Sequence, residues 1–313
     1  ERRSIPDAGS SPRSITPTRN GSSKRSQLED PAHCARAAPA KGVEECIREL
    51  DQLIGLNQVK QLVREIHAFV EIQKRRASER LVTEPLVLHM VFSGNPGTGK
   101  TTVARIFGNM FRAMGLLAKG HLVEVERADL VGEYIGHTAQ RTREQVKRAL
   151  GGILFIDEAY SLARGGEKDF GKEAIDVLVK AMEDHRDEFI VILAGYKDEM
   201  EFFLRTNPGL RSRFPIHIEF PDYTLDELMQ ISELMLSKRQ YSFTPRARRA
   251  MISILQQEIS NSEWHFGNAR LVRNIIEQAI RRQALRLVKK PACTKQELIS
   301  ITHEDLIRGA QSA

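Results

Sequence analysis

Eight residues, Gly94-Asn95-Pro96-Gly97-Thr98-Gly99-Lys100-Thr101, restrict this chain more than any other stretch. They keep the spacing G-x-x-x-x-G-K-[ST] of a loop that cradles a polyphosphate. Ahead of them Leu86-Val87-Leu88-His89-Met90-Val91-Phe92 reads as a strand. After them Thr102-Val103-Ala104-Arg105-Ile106-Phe107 continues with helical spacing toward Met110 and Phe111. Strand, glycine loop and helix in that order are the context such a loop needs. Glycines let the backbone turn tightly and approach a phosphate with no Cβ in the way. Successive N–H groups and the helix N-terminus then face the anion. On this reading Asn95, Pro96, Gly97, Thr98, Gly99, Lys100, Thr101 and Thr102 form the binding loop. Lys100 reaches the β- and γ-phosphates and the Thr101 hydroxyl ligates Mg²⁺.

The surrounding pattern predicts the sheet that carries the loop. Strands are expected at His121–Glu126, Gly152–Asp157 and Phe189–Ala194, with helices from Asn57, at Thr138–Leu150 and at Lys172–His185. Strands alternating with helices argue for a parallel sheet covered on both faces. After about Tyr223 strands are expected to stop. Leu225–Lys238, Pro245–Ile259, Asn268–Val288 and His303–Ala310 all read as helix. Residues 1–42 are rich in Ser, Pro, Arg and Ala without periodicity and read as a disordered tail. The expected division is therefore a tail at 1–42, an α/β unit at 43–222 and a helical lid at 223–313. The first residue is Glu1, so the numbering is expected to start inside a longer product.

Bulk properties exclude some classes. A content of 41% hydrophobic and 28% charged residues is ordinary for a globular protein. No apolar run approaches the length of a membrane span, and no apolar signal-peptide core stands near the start. A net charge of +6 gives little support for a nucleic-acid partner, because much of the excess lies in the tail. Cys34, Cys46 and Cys293 are scattered and odd in number, which fits a reducing, cytoplasmic setting. The nine histidines form no H-x-x-x-H pair, so zinc is not expected.

Ile153-Leu154-Phe155-Ile156 is an apolar strand ending in Asp157-Glu158. Asp157 stands where a triphosphatase needs an acid near Mg²⁺. Glu158 stands where a base would orient and polarise the attacking water.

Together with the phosphate loop and the later arginines, these acids resemble the AAA+ ATPase family over about Leu50 to Leu287. Gly132-Glu133-Tyr134-Ile135-Gly136-His137-Thr138 and Asn207-Pro208-Gly209-Leu210 are similar to a branch that holds sporulation proteins and the red-type rubisco activase. Within 163–171, the 165–171 segment is more similar to the sporulation proteins, so the resemblance implies a role in bacterial sporulation, with a red-type rubisco activase as the alternative. The resemblance implies an α/β P-loop sheet with a C-terminal helical lid, and Mg-ATP hydrolysis coupled to remodelling of a protein client. It implies that Ile54-Gly55 packs on adenine. It implies that Arg213, with Arg211 as rival, is a finger completing a neighbour's site, and that Arg270, with Arg273 as a weaker candidate, reads the nucleotide from the lid. It implies that Tyr134-Ile135-Gly136 is a pore loop gripping the client, and that copies assemble as a ring, a hexamer. Where the family usually carries a polar first sensor, this chain has Leu193-Ala194-Gly195-Tyr196, so Tyr196 is either a sensor hydroxyl or a packed ring. His137 reads as a loop or cap residue. A nucleic-acid motor or loader is the reading from another class, and no helix-turn-helix or aromatic-basic surface is evident for it.

Overall fold

The computed structural model describes residues 42–83, 86–134, 136–164, 170–261 and 266–307. The stretch expected to be a tail lies outside them, except for Gly42. Two helices come first, α1 at Val43–Asp51 and α2 at Asn57–Ser78. The α2 sequence places Val59, Val63, Ile66 and Val70 three and four residues apart, so one face is buried. Five strands follow: β1 at Met90–Gly94, β2 at Leu122–Val125, β3 at Ile153–Ile156, β4 at Ile190–Gly195 and β5 at Ile216–Phe220. Between them run α3 at Lys100–Ala113, α4 at Arg127–Leu130, α5 at His137–Ala149, a 3₁₀ turn at Ala159–Ala163, α6 at Gly171–Asp184, α7 at Lys197–Thr206 and α8 at Pro208–Arg211.

The strands form one parallel sheet in the order β2-β3-β4-β1-β5. Phe92 of β1 stands beside Ala194 of β4 and Ile218 of β5. Strands β3 and β4 are buried along their whole length, as expected of a parallel sheet covered on both faces. One apolar layer joins Phe92 and Phe155 to Phe107, Phe111 and the buried face of α2. The other joins Leu154, Ile156, Val191 and Leu193 to Leu178, Met182 and Phe203.

His89, just before β1, is buried, and its Nδ1 accepts the Val191 N–H at 3.0 Å. Burial first, and Arg186 second, push its pKa down to about 4. The ring is neutral at pH 7 and extends the β1–β4 pairing by a side chain.

The remaining chain folds as α9 at Leu225–Ser237, α10 at Pro245–Asn261, α11 at Asn268–Leu287, α12 at Lys295–Ile299 and α13 at His303–Ile307. They share a core of their own around Leu228, Met251, Val272 and Ile276. Helix α9 starts on a reciprocal cap, with Thr224 Oγ1 accepting the Glu227 N–H and the Glu227 carboxylate accepting the Thr224 N–H.

Strands do not stop at Tyr223. Ser242–Phe243 (β6) pairs in parallel with Ser300–Ile301 (β7). Two residues on each side are too few to show a period, and the two strands meet because α11 and α12 bring the chain back to β6. Helices α1 and α7 and strand β5 also form where no element was expected. In β5, Ile216, Ile218 and Phe220 alternate with exposed His217 and Glu219, a strand pattern that follows directly on a loop.

Candidate functional site

Parallel sheets hold ligands outside the carboxyl ends of their strands. Here the ends of β1, β4 and β3 lie side by side. They carry, in that order, the glycine loop, Gly195-Tyr196 and Asp157-Glu158. A cavity of about 440 Å³ opens there, within the roughly 300–1,000 Å³ of small-molecule sites. Pro96, Gly97, Gly99, Lys100, Thr101 and Thr102 line it, together with Asp157, Glu158 and Tyr196. Leu53, Ile54 and Leu56 form an apolar wall, and the lid closes it with Tyr223, Ile231, Leu234, Met235, Lys238, Arg270 and Arg273.

The loop geometry depends on its glycines. Gly94, Gly97 and Gly99 have φ of 145°, 75° and 100°. A Cβ on Gly94 would fall 2.2 Å from the Phe220 carbonyl oxygen. One on Gly97 would fall 2.5 Å from the Gly267 carbonyl oxygen and 2.7 Å from the Arg270 nitrogen. No side chain fits either place. Gly99 precedes α3 in a left-handed conformation, so the first helical N–H groups open toward the cavity.

Lys100 Nζ donates to the Gly94 oxygen at 2.7 Å and the Asn95 oxygen at 2.9 Å, which folds the ammonium over the loop. Burial pushes its pKa down to about 8; Asp157 and Asp222 oppose the shift and Arg270 adds to it. Lys100, Asp157 and Arg270 therefore share one electrostatic neighbourhood. Not every loop side chain lines the cavity. Asn95 donates to Asp222, and buried Thr98 Oγ1 donates to the Asn95 oxygen at 2.8 Å.

Asp157 Oδ1 accepts the Glu158 N–H at 3.0 Å, and Glu158 stands at φ 45°, in the left-handed region. Burial, and then the neighbouring Glu158 carboxylate, raise the pKa of Tyr160. Tyr160 in turn packs on Tyr196, with ring centroids 6.0 Å apart. Tyr196 thus both lines the cavity and packs beneath the strand end. A second cavity, of about 680 Å³, lies behind the same acids and is lined by Glu126, Arg127, Gly132, Glu133 and Arg141 as well as Asp157 and Glu158.

The other expected residues fall as follows. Ile54 lines the apolar wall, whereas Gly55 turns the chain at φ 67° against Glu227 and Tyr223. Tyr134 is 65% exposed, its ring edge-on to His137, and Gly136 caps α5 at φ 83°. Ile135 lies outside the described residues. Arg213 is absent from the cavity of its own chain. It pairs with Glu183 and donates Nη1–H to the Gly209 oxygen at 2.8 Å, while Arg211 is exposed.

Asp222, Tyr223 and Asn268, which join lid to loop, were missed by the sequence reading. Their partners lie as far as 127 residues away, and no local pattern announces them. Asn268 at the first position of a helix, after Gly267, was the one available signal. Among the described residues no group of three or more His, Cys, Asp or Glu could hold a metal by itself. Thr101 and Asp157 are two of the oxygen donors on the cavity wall, and they suit a cation that keeps waters and takes phosphate oxygens as its other ligands.

A parallel sheet whose strand ends bring a glycine cradle, a half-buried lysine and two acids under a helical lid defines an ATPase of the P-loop class. The chain belongs to the AAA family. The ATPase family associated with various cellular activities (AAA) matches residues 90–222, and the AAA lid domain matches residues 224–313. Stage V sporulation protein K of Bacillus subtilis is 53% identical over 265 residues, covering 84% of this chain and 82% of that one. Protein CbbX of Cereibacter sphaeroides is 50% identical over 79% of this chain and 80% of its own length. The chloroplastic ribulose bisphosphate carboxylase/oxygenase activase of Cyanidioschyzon merolae is 46% identical over 85% of this chain and 92% of its own. Among solved structures, the Thermotoga maritima RuvB Holliday junction branch migration motor superposes with a TM-score of 0.53 at 21% identity, over 83% of this chain and 70% of that one. That likeness is one of fold.

Proposed function

We propose that the chain couples Mg-ATP hydrolysis to remodelling of a protein client, as a ring of identical copies. The observation that carries this is one cavity lined at once by the phosphate loop, by Asp157 and Glu158, and by lid arginines. The triphosphate rests on the loop N–H groups and Lys100, with the base against Ile54 and the apolar wall. Thr101 and Asp157 would hold Mg²⁺, which neutralises charge on the phosphates when bound. Glu158 orients the attacking water, and Arg270 tells the lid whether the γ-phosphate is present. The hinge falls between 43–222 and 223–313.

Arg213 is held near the surface by Glu183 and Gly209, outside its own cavity, so it serves the site of the next copy. Exposed Tyr134 beside a φ-positive Gly136 supports a pore loop, with Ile135 between them as its aliphatic member. The ring is a hexamer in the cytoplasm. No described helix is long and apolar enough to cross a membrane. A role in sporulation rests on the 53% identity with stage V sporulation protein K.

The same engine with another client is a second reading. The 46% identity with a relative named as a rubisco activase favours it. A nucleic-acid motor gains nothing from the likeness to RuvB, which is limited to the fold.

The test is Glu158→Gln. The variant should bind ATP as the wild type does while turnover falls by about 10²–10⁴. Capture of client from cells with this variant, held in ATP, then separates the clients; ATPase stimulation by rubisco with ribulose bisphosphate would select the activase reading. Undiminished hydrolysis by the variant would remove Glu158 from the chemistry.

A further inference from the structure

Three polar side chains that the phosphate-loop spacing does not require join the loop to the lid. Asp222, just past β5, accepts Asn95 Nδ2–H with both carboxylate oxygens, each at 3.0 Å. The same carboxylate accepts Asn268 Nδ2–H at 2.7 Å. Asn268 is fully buried and opens α11 at φ 47°, a conformation that asparagine tolerates and most residues do not. Its amide also donates to the Phe266 oxygen at 2.9 Å, and its Oδ1 accepts the Tyr223 N–H at 2.9 Å. Three further bonds reach the loop from the lid side: Asn268 Nδ2–H to the Pro96 oxygen at 3.4 Å, Tyr223 hydroxyl to the Thr98 oxygen at 3.1 Å, and Ala269 N–H to the Gly97 oxygen at 3.3 Å.

We propose that Asn268 and Asp222 are positioning residues which give the phosphate loop its binding shape only while the lid is closed. The inference rests on reading the cavity as a nucleotide site. Its physical basis is the arrangement of donors. A carboxylate shared by two amides makes charge-assisted bonds, stronger than neutral ones. A buried amide that loses such a partner keeps the whole cost of its desolvation. Lid opening draws Asn268 away from Asp222. Asp222 is then free to turn, and Asn95, in the second position of the loop, loses its fixed partner. Gly97 lies against Gly267 and Arg270 with no room for a Cβ, so the same movement also frees the middle of the loop. Closure reverses each step, so phosphate affinity and lid position rise and fall together.

Asn268→Gly tests this, because glycine keeps the positive φ and removes only the side chain. ATP and ADP dissociation constants, and KM for ATP, should rise roughly tenfold, with kcat within about threefold of wild type. Asn268→Asp should bind more weakly than Asn268→Gly, since it sets a second carboxylate against Asp222. A packing role alone would rank them the other way, with the smaller residue worse. Asn95→Ala should weaken binding by a similar factor, and the Asn95→Ala/Asn268→Gly double variant should fall well short of the product of the two single effects, because the two side chains share Asp222. Unchanged affinity in Asn268→Gly, the reverse order for Asp and Gly, or single effects that multiply in the double variant would each overturn the proposal. Absence of nucleotide binding by the wild type would instead strike the nucleotide reading itself.

Discussion

Lys100 shows what the site asks of one residue. A lysine in water is charged to beyond pH 10, but here burial brings its pKa to about 8, against the opposing pull of Asp157 and Asp222. Its ammonium meanwhile rests on two loop carbonyl oxygens. A polyphosphate seated on the loop puts negative charge beside the ammonium and favours the protonated form. The pKa is therefore higher with nucleotide bound than without, and binding takes up a proton wherever the pH lies above 8. Affinity must then be level below pH 8 and fall as the pH rises through it. Nucleotide titrations should give an ATP dissociation constant about tenfold weaker at pH 9 than at pH 7. A terminal phosphate with a second pKa of about 6 is already mostly ionised at pH 7, and its further ionisation above pH 7 adds negative charge and so does not account for a loss of affinity. A flat profile to pH 9 would mean that Lys100 keeps its proton without help from the ligand.

Among the elements, the lid helices add a buried polar contact to their apolar core. Helices α11 and α13 are joined by Arg286, whose Nε and Nη2 donate to the two Asp305 oxygens at 3.0 and 2.9 Å. Asp305 is 2% exposed and also accepts the Thr302 N–H and hydroxyl. Burial by itself would raise its pKa, but Arg286 and Thr302 outweigh burial, so the net shift is downward. Removing the guanidinium leaves a buried carboxylate with only the Thr302 donors. Arg286→Ala should cost about 3 kcal/mol in urea denaturation at pH 7. A loss under about 1 kcal/mol would show that Thr302 alone satisfies the carboxylate. None of this was visible in the sequence, where Arg286 is one of several basic residues on an amphipathic helix. Strands β3 and β4 were visible because they are buried on both faces and read as unbroken apolar runs. Strand β5 alternates apolar residues with exposed polar ones and was passed over, and β6 and β7 are too short for any period. The site divides in the same way. The loop and the strand-end acids are contiguous in sequence and readable there. Asp222, Tyr223 and Asn268 act only because β5 and α11 deliver them to the loop.

At the scale of the whole molecule, the cavity holds Lys100, Arg270 and Arg273 from its own chain but neither Arg211 nor Arg213. Arg213 instead rests between Glu183 and the Gly209 oxygen, at 29% side-chain exposure, held in place and reachable from outside. If that arginine completes a neighbour's site, base and finger for each hydrolysis come from different copies. Arg213→Ala should then bind ATP normally and lose turnover, and wild-type activity per copy should fall on dilution below the assembly range. The sharper consequence lies in mixtures. An Arg213→Ala copy keeps a sound Glu158, and a Glu158→Gln copy keeps a sound Arg213. Two inactive preparations, mixed in equal amounts and allowed to exchange, should regain turnover wherever the first kind of copy presents its cavity to the second. Random assembly makes about a quarter of the interfaces of that kind, so recovery should approach about a quarter of wild-type activity. An arginine serving its own chain yields no recovery at any mixing ratio, because every copy then lacks one of the two groups.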